Sequence, residues 1–256
     1  MPHFQNAFLT GASSGIGRGV AKELARRGTR VVATARRRER LESLVSEIEA
    51  AGGRADWREL DVSDPEAVVR AIHEEDERVG GFDLVIANAG VANVLDKDPL
   101  ALANVLNLAQ VNFTGALATL VAGKDVMLPR GRGTLVGVAS VAGFRGLPSS
   151  GAYSATKAGL STFLESLQLD LEGTGLTVVD VSPGFIKSEM TDLNDFRMPF
   201  LMETDDAVQR FVDAVEAGRP VVHFPWQLAF PLKWGAKFAP RGLWKWAVNK
   251  GKKQDG

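Results

Sequence analysis

The sequence predicts an α/β fold, a doubly wound parallel sheet with helices on both faces, and two observations carry that prediction. Short runs rich in apolar and β-branched residues recur: FQNAFLT (4–10), RVVATA (30–35), FDLVIAN (82–88), GTLVGVAS (133–140) and LTVVDVS (176–182). Between them lie segments such as 18–28 and 38–52, apolar at i, i+3, i+4 and i+7, the period of an amphipathic helix. Strands apolar along nearly their whole length must be buried on both faces, and a parallel sheet covered by helices buries them. Ligands of such sheets sit beyond the carboxyl ends of the strands, so the residues that follow each run are the informative ones.

After the first strand comes TGASSGIG, in which Gly11, Gly15 and Gly17 open a helix. Glycines here permit a tight turn, and the N–H groups of Ser13, Ser14, Gly15 and Ile16 can meet a pyrophosphate at the helix N-terminus. That helix and the next end at Gly28 and Gly52, the usual C-terminal punctuation. The second strand ends in ATA, followed by Arg36, Arg37 and Arg38. An NAD site usually carries an acid at this strand end. Cations are unfavourable at a helix start, so the arginines are best explained by an anion, the 2′-phosphate of NADP(H), which they can pair with.

After the third strand, in ELDVSD, Asp61 can accept from an adenine amino group with Val62 against the ring. Ser63 or Asp64 would cap the next helix. After the fourth strand, Asn88, Ala89 and Gly90 allow close approach to a cofactor.

The fifth strand delivers Ser140 at its end, and Tyr153 and Lys157 stand downstream in SSGAYSATKAG. Tyr153 is the only tyrosine, and the i, i+4 spacing puts Lys157 on its helical face. A cation about 4 Å from a phenol is worth about 4 kcal/mol at an effective dielectric near 20. That corresponds to a pKa lowered by up to about 3 units. The expectation is therefore a depressed phenol working as acid and base, with Ser140 holding a substrate oxygen. Asn112 sits inside a helical pattern where asparagine is unfavourable. The sixth strand exits sharply through Pro183 and Gly184.

Together TGASSGIG (10–17), ANAG (87–90), Asn112, Ser140, YSATK (153–157) and PG (183–184) resemble the short-chain dehydrogenase/reductase family in order and spacing, from about residue 6 to residue 191. The resemblance implies a Rossmann-like fold and hydride transfer between a nicotinamide cofactor and an alcohol or ketone. It puts the catalytic tetrad on Asn112, Ser140, Tyr153 and Lys157, with Asn112 helping a helix bend beside Lys157. It adds Pro183, Gly184, Ile186 and Ser188 to the cofactor contacts and implies a homodimer or homotetramer through the helices holding Asn112 and Tyr153. The family often has NNAG where this chain has ANAG, and threonine where it has Ser188; serine keeps the hydroxyl. An NAD-linked oxidation and a non-catalytic cofactor-binding role are the competing readings.

Composition narrows the chemistry further. The 256 residues suffice for one large domain, read as a catalytic unit over 1–223 and a helical extension over 224–256. There is no cysteine, so thiolate catalysis and cysteine metal sites are excluded, and three scattered histidines make a metal centre a poor reading. A net charge of −1 gives no footprint of nucleic-acid binding. The N-terminus does not read as a signal peptide and no run of about 18 apolar residues is present, so the expected location is the cytoplasm.

The charge is uneven, because residues 224–256 hold seven Lys/Arg and one acid. They also hold Trp226, Trp234, Trp244 and Trp246, while prolines 225, 231 and 240 divide the segment into two short helices. Tryptophan interleaved with lysine suits a membrane interface through residues 224–250, a flap over the pocket, or a subunit contact. Met190, Phe196, Met198, Phe200 and Met202, in the stretch expected to close over the substrate, suit either a lipophilic substrate or a local hydrophobic cluster.

Overall fold

The computed structural model describes residues 4–92, 98–192, 198–236 and 238–252; Phe196 lies outside them. Strand and helix alternate as predicted. The elements are β1 (Asn6–Thr10), α1 (Gly15–Arg26), β2 (Arg30–Ala35), α2 (Arg38–Ala50), β3 (Arg54–Glu59), α3 (Pro65–Val79), β4 (Leu84–Ala87), α4 (Leu102–Ala109), α5 (Gly115–Met127), β5 (Gly133–Val138), α6 (Gly151–Asp170), β6 (Leu176–Pro183), α7 (Thr204–Glu216), β7 (Val221–Phe224), α8 (Trp226–Phe230) and α9 (Arg241–Lys252).

The sheet runs β3-β2-β1-β4-β5-β6-β7, and every pairing is parallel. Side chains alternate between its faces. Leu9, Val31, Ile86, Val136 and Val179 join the core shared with α1, α2 and α7. Phe8, Val32, Val85, Leu135 and Val178 join the core under α3, α5 and α6. The chain leaves β1 toward β2 on one side and reaches β4 on the other, so a crevice opens beyond the carboxyl ends of β1 and β4, where doubly wound sheets bind ligands.

Three features depart from the sequence expectation. The seventh strand was not foreseen, and it ends at Phe224, one residue past the expected boundary at 223. A run of only four residues before a proline carries too little pattern to read. Second, the helical run Leu102–Arg130 is long and apolar enough to cross a bilayer, with mean hydropathy 1.4. It is built into the domain instead: Gly123 packs so closely on Val85 and Leu135 that a Cβ there would meet each at 2.9 Å. Third, β3 is only partly buried along its length, as suits a strand at the sheet edge.

Candidate active site

The turn after β1 is shaped for a close approach of backbone. Gly11 and Gly15 have φ of +71° and +54°, values that glycine adopts without strain. A Cβ on Gly17 would lie 2.3 Å from the Gly11 carbonyl oxygen and 2.5 Å from Asn88 Nδ2. Asn88 braces the turn by donating from Nδ2 to the carbonyls of Thr10 (2.9 Å) and Gly11 (3.2 Å). The Thr10 hydroxyl accepts from the N–H groups of Asn88 and Ala89 at 3.0 and 3.1 Å. Thr10 was not singled out from sequence; its place as the last residue of β1, beside β4, was the available signal. Ser14 precedes α1 without a side-chain capping bond, and no acid stands in the first turn. The free N–H groups and helix dipole there suit a pyrophosphate.

Of the three arginines after β2, Arg37 is the one that reaches this turn. Its guanidinium donates to the Ser13 hydroxyl at 3.0 and 3.2 Å and to the Ser14 hydroxyl at 2.7 Å. It also pairs with Glu189 at 2.9 Å, and Arg40 pairs with the same carboxylate at 3.3 Å. Arg36 is exposed and close by in the chain. Arg38 turns away, paired with Glu42 at 2.7 Å and stacked over Trp57 at 5.1 Å. Glu189 was not foreseen as a partner, because it lies 152 residues away in sequence. Asp61 is exposed and accepts from the Ser63 N–H at 2.9 Å. Asp64, rather than Ser63, caps α3 through the Ala67 N–H. Val62 is 6% exposed, packed against Gly115.

Ser140, Tyr153 and Lys157 are brought together at the ends of β5 and β6. Ser140 accepts from the Ala142 N–H at 3.1 Å, donates to the Pro183 carbonyl at 3.4 Å, and is hydrogen-bonded to the Tyr153 phenol. Lys157 is 4% exposed; its Nζ donates to the Val138 carbonyl at 2.7 Å and lies 5.9 Å from the centre of the Tyr153 ring. Asn112 occupies a single π-helical turn, Gln110–Thr114, between α4 and α5. There it accepts from the Val91 N–H at 2.7 Å and donates to the Val91 carbonyl at 2.9 Å. Beside Gly90, Asn112 Oδ1 and Lys157 Nζ stand 3.4 and 3.6 Å from the position a Cβ would take. All four tetrad candidates therefore border one space.

The electrostatics correct one expectation. Burial holds the Tyr153 phenol above its ordinary pKa, and the Ser140 hydrogen bond only partly opposes this. Lys157 is not among the groups that lower it here, and its Nζ donates to the Val138 carbonyl. Burial lowers Lys157 itself to about 8, against the attraction of Asp180. Asp180 is a buried carboxylate on β6 that accepts from the Ser182 hydroxyl at 3.1 Å. A lone acid in an apolar strand was the sequence signal for it.

Beyond β6, Gly184 donates its N–H to the Phe224 carbonyl at 2.7 Å, and Ile186 is 3% exposed in a one-residue bridge to Met202. Ser188 Cβ lies 3.3 Å from where a Cβ on Gly15 would be, so this segment closes on the glycine turn. Its backbone N–H and hydroxyl both meet the Thr191 hydroxyl, at 2.8 and 3.3 Å. The C-terminal helices touch the loop after Ser140. Arg145 donates to the Ala239 carbonyl at 2.9 Å and stacks on Trp244 at 4.9 Å, and Trp244 Nε1 donates to the Gly146 carbonyl at 3.1 Å.

Such a sheet, with a glycine-rich turn at its switch point and a Ser-Tyr-Lys cluster two strands away, defines a dinucleotide-binding oxidoreductase. A family model described as short chain dehydrogenase matches residues 5–197. An uncharacterized oxidoreductase of Myxococcus xanthus is 49% identical over 247 residues, covering 96% of this chain and 97% of that one. A solved short-chain dehydrogenase from Sphingobium yanoikuyae in complex with NADPH superposes with a TM-score of 0.80 at 25% identity, over 98% of each chain. A short chain dehydrogenase/reductase from Burkholderia phymatum in complex with NAD shares the fold, with a TM-score of 0.81 at 22% identity over 90% of this chain and 92% of that one. The chain belongs to the short-chain dehydrogenase/reductase family.

Proposed function

We propose that this protein is an NADP(H)-dependent oxidoreductase that interconverts a hydrophobic ketone and a secondary alcohol. The observation that carries this reading is the convergence of Ser140, Tyr153 and Lys157 on one space beside the glycine turn. The nicotinamide cofactor, when bound, supplies or accepts the hydride at the carbonyl carbon. The Tyr153 hydroxyl gives its proton to the substrate oxygen in reduction and takes it back in oxidation. Its raised pKa keeps the phenol protonated at neutral pH, the state reduction requires. Ser140 holds the same oxygen, fixing its distance to the phenol. Lys157 would contribute positive charge as the oxygen becomes negative; Asn112 Oδ1 and Lys157 Nζ border the same space beside Gly90, from which Tyr153 would be reprotonated.

On the cofactor side, Gly11, Ser13, Ser14, Gly15, Ile16 and Gly17 would hold the pyrophosphate, and Asp61 with Val62 the adenine. Asn88, Ala89, Gly90, Pro183, Gly184, Ile186 and Ser188 would border the nicotinamide half. Arg37, already on the Ser13 and Ser14 hydroxyls, and the exposed Arg36 would pair with a 2′-phosphate. Of the similar solved structures one holds NADPH and one NAD, so the arginines alone favour the phosphate-bearing cofactor. The partly exposed Met190, Phe200 and Leu201 near the closing segment support a lipophilic substrate.

The protein would work in the cytoplasm as a homodimer or homotetramer, for which the exposed Leu102, Leu106, Val121 and Leu169 on α4, α5 and α6 provide apolar surface. Residues 224–250 would make a peripheral membrane contact. The reading is tested by following NADPH and NADH oxidation over a panel of ketones from small cyclic to steroid and long-chain. Turnover of apolar ketones with NADPH is expected; tight NADPH binding with a blank panel would overturn it.

A further inference from the structure

We propose that residues 226–246 form a docking surface for the anionic headgroups of a lipid bilayer. This surface gives the proposed peripheral contact its chemistry and rests on that reading. On α8 and the π-helical turn that continues it, Trp226, Phe230 and Trp234 follow one another at intervals of four. They are 68%, 63% and 51% exposed, while Ala229 between them is buried at 3%. Phe238 and Leu243, further along the segment, are 73% and 55% exposed.

Cations lie in the same segment. Lys233 lies over the Trp234 ring at 5.8 Å, and Arg241 and Lys245 are exposed on α9. Residues 224–256 hold seven Lys/Arg and one acid in a chain of net charge −1, so the rest of the chain carries an excess of acids. Tryptophan and phenylalanine settle at the headgroup boundary of a bilayer, and basic residues are drawn to anionic lipid. A second copy meeting this face would set two basic segments against each other, whereas an anionic bilayer complements them. The segment is fastened to the body through Arg145 and Trp244, beside the loop that follows Ser140. Docking would thus hold the active-site mouth next to the membrane.

The test is cosedimentation of full-length protein with vesicles of phosphatidylcholine alone and of phosphatidylcholine mixed with phosphatidylglycerol. One variant combines Trp226→Ser, Phe230→Ser and Trp234→Ser; a second combines Lys233→Gln, Arg241→Gln and Lys245→Gln. The unaltered protein is expected to pellet about tenfold better with the anionic vesicles and to be released by salt. Both variants should lose that pelleting while keeping turnover of a water-soluble ketone. If the ring variant fails to fold, the charge variant alone decides. Equal, negligible pelleting of the unaltered protein with both vesicles overturns the proposal, as does a ring variant whose only change is a smaller oligomer. Pelleting is read without substrate, so an inactive protein that still binds anionic vesicles would remove the catalytic reading and leave the docking surface standing.

Discussion

Lys157 donates a 2.7 Å hydrogen bond to the carbonyl of Val138, the last residue of β5 and two positions before Ser140. The bond anchors the ammonium group at the strand end, 5.9 Å from the centre of the Tyr153 ring. Burial there brings Lys157 to about 8. The lysine is thus charged below that pH and loses its charge above it, while the raised phenol stays protonated through the same range. Carbonyl reduction should therefore be flat below about pH 8 and fall above it. Asp180 is the group whose attraction opposes the fall in Lys157, so Asp180→Asn should move the alkaline limb of the kcat profile to lower pH. A limb that stays in place in the variant would contradict this coupling.

On the proposed reading, Arg37 would carry the choice between cofactors. A charged hydrogen bond to phosphate is worth about 1.5–3 kcal/mol, so Arg37→Ala should weaken NADPH binding by roughly ten- to hundredfold and leave NADH nearly unchanged. Fluorescence titration with both nucleotides measures this. Glu189, paired with Arg37 at 2.9 Å, competes for the same guanidinium, so Glu189→Gln should tighten NADPH a few-fold, because the exposed pair is itself worth only about 1 kcal/mol.

Gly17 leaves no room for a side chain, since a Cβ would fall 2.3 Å from the Gly11 oxygen. Overpacking of this kind costs about 1–3 kcal/mol. Gly17→Ala should lower the melting temperature by a few degrees and abolish nucleotide binding, as read by calorimetry and titration.

Much of the sheet, and which candidate residues share the glycine turn and the Ser140 cluster, is legible because the signals are local. Apolar runs, glycines at fixed offsets and the Tyr153–Lys157 spacing all lie within single elements and the turns after them. What escaped depends on approach between distant segments. Glu189 meets Arg37 across 152 residues, and Trp244 meets Gly146 across 98. The phenol's pKa was misread for a related reason. Helical spacing places Lys157 on the right face, but which acceptor its flexible stem reaches is set by β5, outside the helix. Asn112 was read correctly as a misfit in a helix, and the structure resolves the misfit as a π-helical turn that frees its amide for Val91.

His223, on β7 beside Phe144 with ring centres 5.0 Å apart, is lowered to about 4 by burial and by repulsion from Lys233. An unfolded histidine titrates near 6.5, so between these values the unfolded chain binds the proton and the folded one does not. The protein should lose stability as pH falls from about 6.5 to about 4, and His223→Gln should flatten that part of a denaturation-versus-pH curve. An unchanged slope would show that His223 is not the group responsible.

Tyr153 is the proposed proton donor, and Tyr153→Phe removes one oxygen while keeping the ring. NADPH affinity and turnover of an apolar ketone are measured in parallel on the same preparation. NADPH binding should stay within a few-fold of the unaltered protein while kcat falls at least about a hundredfold, the scale of positioned acid–base catalysis. Turnover by the phenylalanine variant at the unaltered rate would contradict Tyr153 as the donor.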